Sequence, residues 1–356
     1  MSPLDSGRTG ELKAPIRTLH ITRDLPPRTR GGISTAVAAL VGREPALAGV
    51  VSFDGWRPSS QGGGAKVEGM VCRLSGPGGL EEALAFAVAL RPQRVVVHHA
   101  MLWAFARRVR DGTGANTVLF AHVAQNALRR LRGLTQPTAS ERAQEVALGE
   151  VDELWLPSEA ARTLFGDFAR TRIVPVPVTP RADVVSRREP GRVVMIGRYD
   201  VMKGTADALA LLQPLLIRQS TTHLVLVGGL PDNPKSERRW IRRWKKTVPE
   251  PVAARLETTG WLPQEEVDHQ LARAAVVLAP SYMETFALAV REAQQCGCAV
   301  VASDIGAHRE HIEHGVTGLL VRAGDTPAWV EAVGGLLEDP VKAFALGVAA
   351  REGLDS

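Results

Sequence analysis

No apolar run in the sequence approaches the roughly 18 residues that a membrane-spanning helix needs, so no span is expected. Cysteine is scarce. Cys72, Cys296 and Cys298 are the three present, and an odd number without framework spacing argues against a disulfide-stapled secreted domain. Cys296-Gly297-Cys298 has no second pair to complete a zinc site and reads as two small buried residues beside a strand. A large excess of one charge is also missing. Lys+Arg number 43 against 38 Asp+Glu, a net +5, which suits an anionic ligand without calling for nucleic acid. No repeat of solenoid period is visible. The polar stretch Met1–Pro15 lacks the apolar core of a signal peptide and reads as a flexible lead, with a cytoplasmic location expected.

What remains is a chain of 356 residues, 45% of them hydrophobic, enough for two domains that each bury a core. Short apolar runs alternate with amphipathic stretches almost throughout. The runs are Arg17–Thr22, Val50–Trp56, Met70–Ser75, Arg94–Ala100, Asn116–Val123 and Glu153–Ser158, then Arg192–Arg198, His223–Gly229, Arg255–Gly260, Ala274–Ser281, Cys298–Asp304 and Gly318–Ala323. Most are rich in Val, Leu and Ile with little polar alternation, the mark of strands buried on both faces in a parallel sheet. Helical patterns such as Gly79–Leu90, Thr205–Arg218 and Thr326–Leu337 separate them, which means an α/β fold with right-handed crossovers. The alternation breaks between Arg172 and Gly191, where Pro175, Pro177 and Pro180 disfavour helix and central strand alike. The expected organisation is therefore a lead at 1–15, a first Rossmann-like domain at 16–178, a linker at 179–191, a second Rossmann-like domain at 192–340 and a terminal helix or tail at 341–356.

The sharpest chemistry lies in the second half. An apolar run ends in Gly197-Arg198, a short loop follows, and Lys203-Gly204 opens a helix. Ligands of open α/β sheets sit beyond the carboxyl ends of the strands. Two cations five residues apart there can grip a diphosphate, Arg as a fork and Lys as a point charge; taken alone they could equally be ordinary surface cations. Further on, Ala279-Pro-Ser-Tyr-Met-Glu284-Thr-Phe-Ala-Leu-Ala-Val-Arg-Glu292 leads from a second apolar run into a helix expected to begin near Thr285 or Phe286. Free N–H groups of Phe286, Ala287 and Leu288 at the positive end of that helix would make an anion site. Glu284 and Glu292, about 10 Å apart if the helix is continuous, would bracket a nucleotide sugar, one accepting from sugar hydroxyls and one from the ribose. The plainer alternatives are a solvated turn residue and a half-exposed helix residue.

The pair Glu284 and Glu292 resembles the E-x7-E motif of retaining glycosyltransferases of the GT-B fold, family GT4, glycosyl transferases group 1. Ile196-Gly197-Arg198 with Lys203-Gly204, Leu226-Val-Gly-Gly229, Thr259-Gly-Trp-Leu-Pro263, Gly297-Cys-Ala-Val-Val-Ala-Ser-Asp304 and His311-Ile-Glu-His-Gly-Val-Thr-Gly-Leu-Leu320 extend the likeness from about Gly191 to Pro340. The resemblance implies two Rossmann-like domains whose parallel sheets face across a cleft that holds the active site. It implies a UDP-, GDP- or similar sugar donor as co-substrate, no required cofactor and no divalent metal. It assigns the diphosphate to Gly197, Arg198 and Lys203, the sugar and phosphate to Glu284, Thr285, Phe286, Ala287 and Leu288, and the ribose to Glu292. In the first half, Gly31-Gly32 resembles the family's early glycine turn, and His122 falls where related enzymes carry a histidine beside the reacting sugar. A hydrogen-bonded core histidine is the alternative for His122, and His98 and His99 stay open between the two readings. The catalytic set is then His122, Arg198, Lys203 and Glu284.

The resemblance implies transfer of a glycosyl group to a hydroxyl with retention and favours front-face attack; no sequence feature identifies the carboxylate nucleophile that a double displacement would need. The low aromatic content, 5%, favours a hydrophilic acceptor such as a sugar, cyclitol or polysaccharide. A GT-B-like epimerase or hydrolase, and a non-catalytic nucleotide-sugar binder, remain as alternatives. Two departures from the family pattern stand out: Phe286-Ala287 where Phe-Gly is usual, and a sequence that stops at Ser356, so that the family's crossing helix is expected to be short or absent. The basic run Glu237–Lys246, with Trp240 and Trp244 on one helical face, reads as a helix that turns its tryptophans inward, with contact to an anionic membrane as the less favoured reading.

Overall fold

The computed structural model describes residues 15–26, 31–54, 62–166, 168, 170–178, 187–229 and 234–354. Residues 1–14 of the expected lead, and 179–186 of the expected linker, lie outside the described residues. The rest divides into two units. One falls within Met1–His122, Ala139–Trp155 and Ala169–Arg172, the other within Val123–Thr138, Leu156–Phe168 and Ile173–Ser356.

The sheet of the first unit contains β1 (Thr18–Thr22), β2 (Ala48–Ser52), β3 (Ala65–Glu68), β4 (Val71–Leu74), β5 (Arg94–Val97), β6 (Asn116–Phe120), β7 (Glu153–Leu156) and β8 (Thr171–Ile173), in the order β3-β4-β2-β1-β5-β6-β7-β8. The pairs from β4 through β7 are parallel, while β3 runs antiparallel to β4. The six apolar runs of this half are the central strands. β3 and β8 carry no such run. β3 is Ala-Lys-Val-Glu at the sheet edge, mostly exposed, with Lys66 and Glu68 paired at 2.6 Å, the charged edge that discourages further pairing.

The sheet of the second unit contains β9 (Arg192–Arg198), β10 (His223–Gly229), β11 (Leu256–Gly260), β12 (Val276–Ala279), β13 (Val300–Ser303) and β14 (Leu319–Val321), all parallel, in the order β11-β10-β9-β12-β13-β14. Both faces are covered. Val193, Met195, Leu224, Leu226 and Leu278 pack with Leu209, Leu212, Val333 and Leu336 from the helices Thr205–Arg218 and Thr326–Glu338. Their strand neighbours Val194, Val225 and Val277 face the other way, against Leu271, Val290 and Ala293 of the helices Gln264–Arg273 and Leu288–Gln295. Period-2 alternation between two apolar faces is why these strands read as unbroken apolar runs. Each fully buried Val or Leu contributes about 1.5–3 kcal/mol.

Both sheets have a switch point. Chain order runs outward from β9 through β10 on one side and from β12 on the other, and likewise from β1 through β2 and from β5. The carboxyl ends of β9 and β12, and of β1 and β5, are therefore where a ligand crevice is expected. Both lead into the segments singled out by the sequence.

The helix Pro234–Lys245 settles the direction of its tryptophans: Ile241 is buried and Trp240 and Trp244 pack on the core, with Arg238, Arg239, Arg242 and Arg243 left exposed. Among the described residues no helix is long and apolar enough to cross a membrane.

Candidate functional site

At the switch point of the second unit, β9 delivers Gly197 and Arg198 and then turns sharply. Tyr199 anchors the turn by donating its hydroxyl to the Leu226 carbonyl at 2.8 Å, and the Lys203 N–H donates to Asp200 Oδ1 at 3.1 Å. Gly204 caps the helix Thr205–Arg218 in the left-handed region, φ 65°, and a Cβ there would stand 2.0 Å from the Pro280 carbonyl oxygen. Only glycine meets both demands. The close approach brings the Lys203 loop against the loop after β12, and the Tyr282 N–H donates to the Met202 carbonyl at 2.9 Å.

Across that contact, Lys203 Nζ donates to Glu284 Oε1 at 2.5 Å and Ser281 Oγ donates to the same oxygen at 2.8 Å. The side chains of Lys203 and Glu284 are 18% and 11% exposed, so the pair is largely removed from water. Burial alone would raise the Glu284 carboxyl. The charges of Lys203 and His308 and the two hydrogen bonds outweigh it and hold the group below its ordinary value. His308 is fully buried and lines the same small pocket as Lys203, Ser281 and Glu284. Its Nδ1–H donates to the Ser303 carbonyl at 2.7 Å, while its Nε2 has no hydrogen-bond partner. Burial lowers its pKa, against the pull of Glu284.

The loop after Glu284 is held by its carbonyls. Ser158 Oγ donates to the Thr285 oxygen and His311 Nε2 to the Phe286 oxygen, each at 2.7 Å. With those carbonyls engaged and Ala287 left-handed at φ 62°, the helix begins at Leu288, not near Thr285 or Phe286 as the sequence suggests. A left-handed alanine costs of order 1 kcal/mol, and it sits where the family usually has glycine. The helical ladder starts with the Val290 N–H donating to Ala287 O at 3.0 Å. The N–H groups of Leu288 and Ala289 thus precede the ladder at an end with no side-chain cap. Glu292 lies in the helix, 7% exposed, and Glu284 stands before it, in the turn where the sequence places it.

At the switch point of the first unit, three imidazoles form a row. His20 Nδ1 lies 2.9 Å from His98 Nε2, and His98 Nδ1 lies 2.9 Å from His122 Nε2. Burial lowers His20 to about 4, His98 well below its usual value and His122 to about 3. Beside the row, His99 Nε2 donates to Asp24 Oδ2 at 2.9 Å, and its Nδ1 accepts from the Arg23 N–H at 3.3 Å. Gly31, φ 141°, caps the helix Gly32–Arg43 with no side-chain cap. A Cβ at Gly32 would meet nothing within 4 Å, so open space rather than steric need marks that position.

The structure therefore brings together Gly197, Arg198, Lys203 and Glu284 with the loop Thr285–Leu288 in one unit, and His98 with His122, beside His99 and Asp24, in the other. Sequence reasoning gave no role to Ser281, which lies in the matched stretch Pro280-Ser281, and missed His308, Asp24 and His20. Only His20 left a readable signal, a polar residue inside an apolar strand. Among the described residues no group of three His, Cys, Asp or Glu could hold a metal ion.

Residues 190–339 match the family model described as "Glycosyl transferases group 1". Alpha-maltose-1-phosphate synthase of Mycolicibacterium smegmatis is 34% identical over 170 residues, 45% of this chain and 42% of that protein. D-inositol 3-phosphate glycosyltransferase of Corynebacterium efficiens is 32% identical over 183 residues, 49% and 43% of the two chains. The chain thus spans less than half the length of these curated relatives. Sucrose-phosphate synthase of Thermosynechococcus elongatus shares the fold with a TM-score of 0.73 at 18% identity, over 95% of this chain and 94% of that one. Anabaena HepE, solved with UDP and glucose, does so at 0.72 and 16% over the same shares. The fold is GT-B, and residues 190–339 are similar to the glycosyl transferases group 1.

Proposed function

We propose that the protein is a retaining glycosyltransferase that moves a sugar from a nucleoside-diphosphate sugar to a hydroxyl of a hydrophilic acceptor. The observation that carries this reading is the Lys203–Glu284 pair at the switch point of the second sheet, next to an uncapped helix start. That arrangement offers fixed positive potential to a diphosphate and a carboxylate to sugar hydroxyls. The UDP bound by HepE favours a uridine nucleotide for the donor. The second unit supplies the donor site, and the likeness to the family assigns His122 to the sugar.

In the reaction the bond from the anomeric carbon to the diphosphate oxygen breaks, and the acceptor oxygen bonds to that carbon from the same face. The acceptor proton passes to the departing phosphate oxygen. Arg198, Lys203 and the N–H groups of Leu288 and Ala289 stabilise the charge that grows on the leaving group. Glu284 orients the sugar, with Ser281 and Lys203 holding its own carboxylate.

A thermal-shift panel of UDP, GDP, ADP and their glucose conjugates tests the reading. At a hundredfold excess over Kd, one nucleotide series should stabilise the fold by about 2.7 kcal/mol, uridine foremost. No shift with any nucleotide would end the proposal. His122→Ala should lower turnover about 100-fold or more and leave the donor Kd within about twofold. Equal losses in both would remove His122 from the sugar. Free sugar released at an undiminished rate without acceptor would make the protein a hydrolase.

A further inference from the structure

His308 sits in the short helix Gly306–Arg309 that follows β13, and no part of it reaches solvent. It lines one pocket with Lys203, Ser281 and Glu284, and Ile196 and Ala279 close that pocket from the ends of β9 and β12. The pocket therefore lies at the carboxyl edge of the sheet, where a ligand of this fold sits. The Nδ1 nitrogen of His308 faces the Ser303 carbonyl at 2.7 Å. A carbonyl oxygen only accepts, so Nδ1 carries a proton. Burial is the largest influence on the ring and lowers its pKa. Lys203 adds to that effect, while Glu284 and the Ser303 hydrogen bond oppose it without reversing it. At neutral pH the ring is uncharged, and Nε2 holds a lone pair.

Among the described residues nothing hydrogen-bonds to Nε2. Lys203 and Ser281 line the same pocket and can donate, but both give to Glu284 instead. A buried acceptor without a donor forfeits its hydration for nothing in return, and a leucine of similar size would avoid that loss. An unpaired buried nitrogen in a ligand crevice marks a place for a donor from outside the chain. Its chemistry narrows the choice. The diphosphate of a sugar nucleotide is anionic and only accepts, so it has nothing to give Nε2. A hydroxyl has. The pocket has room for about one water molecule, which is the size of one hydroxyl.

We propose that His308 is a further sugar-binding residue of the donor site, whose Nε2 accepts a hydrogen bond from one hydroxyl of the transferred sugar, and that a single water takes that place in the free protein. The sugar rests on the function given above; the water does not. The contact complements Glu284, which also accepts from sugar hydroxyls, and it asks for a hydroxyl at one ring position. His308 thus selects among donor sugars, whereas Arg198 and Lys203 meet the diphosphate that all of them share.

A high-resolution crystal structure of the free full chain should show one water within hydrogen-bond distance of His308 Nε2; a dry, unpaired Nε2 overturns the site. Calorimetry then measures the binding of UDP, UDP-glucose and each monodeoxy analogue of UDP-glucose to the wild type, His308→Leu and His308→Gln. In His308→Leu, UDP-glucose should bind about tenfold more weakly, with free UDP within about twofold. Removal of one particular sugar hydroxyl should weaken binding to the wild type about tenfold and leave binding to His308→Leu unchanged, while every other analogue loses the same factor in both proteins. His308→Gln, whose amide oxygen can accept in place of Nε2, should recover part of the affinity and of that coupling. Either variant, once a thermal melt shows it folded, serves for the comparison. Losses that are independent of His308 at every hydroxyl, or an equal loss for free UDP, take the sugar away from His308. If the wild type binds none of these nucleotides, the function fails and the sugar with it, and the electron density alone decides the water.

Discussion

Lys203→Ala is expected to destabilise the fold by about 3–5 kcal/mol, because it leaves a buried carboxylate without its cation. Lys203 Nζ and Glu284 Oε1 are 2.5 Å apart in a site largely closed to water. With Lys203 gone, Ser281 still donates to Glu284, but one hydroxyl does not offset the burial of a charge. The pH dependence should change sign with it. In the wild type the folded pKa of Glu284 lies below its unfolded value, so its contribution is full above about pH 4.3 and fades as pH falls through the folded pKa. In Lys203→Ala, burial is left to act and the folded pKa moves above the unfolded one. The contribution is then fully present only below about pH 4.3 and is lost as pH rises through the folded value. Urea unfolding at pH 5 and pH 7.5 reads this directly: the variant should lose most at the higher pH. The double variant Lys203→Ala/Glu284→Gln should regain much of the stability, since no unpaired charge remains, yet none of the turnover. A loss below 1 kcal/mol with unchanged pH dependence would show that Lys203 and Glu284 are not coupled in solution.

How far the sequence reaches can be judged from particular residues. β9 and β10 are legible because Val193–Ile196 and Leu224–Val227 are apolar toward both faces of the sheet, and composition alone carries that signal. β3 is not, because an edge strand with Lys66 and Glu68 has nothing to bury. The start of the helix Leu288–Gln295 is misjudged by two or three residues, since it is set by Ser158 and His311, partners 127 and 25 positions away. The pairing of Lys203 with Glu284 is reachable in part. Both lie where apolar strands end, but their contact needs the order β9-β12, which skips two strands of the chain. His20, His98 and His122 are separated by 78 and 24 residues, and only the order β1-β5-β6 and its register set them in a row. Local pattern marks the elements. Which side chains meet is decided by crossovers that no short-range pattern encodes.

Arg198→Ala should separate what Lys203→Ala combines, losing about 100- to 1,000-fold in turnover while stability stays within about 0.5 kcal/mol. The two cations leave the same strand end but live in different surroundings. Lys203 is committed to a buried partner. The Arg198 side chain is 49% exposed, and its Nε lies 3.6 Å from Asp200, an ion pair worth little at a wet surface. The Arg198 fork is therefore available to a diphosphate that accepts two N–H groups side by side. Charge on the leaving oxygen grows as the sugar departs, so the interaction strengthens between the bound donor and the transition state. The loss should then appear mainly in kcat, with donor affinity falling less. Arg198→Lys keeps the charge but not the fork, and should recover only part of the rate. Steady-state kinetics beside a thermal melt decides the matter. A stable, folded Arg198→Ala protein that turns over near the wild-type rate would take the diphosphate away from the end of β9, and with it the reason for a positive switch point in this sheet.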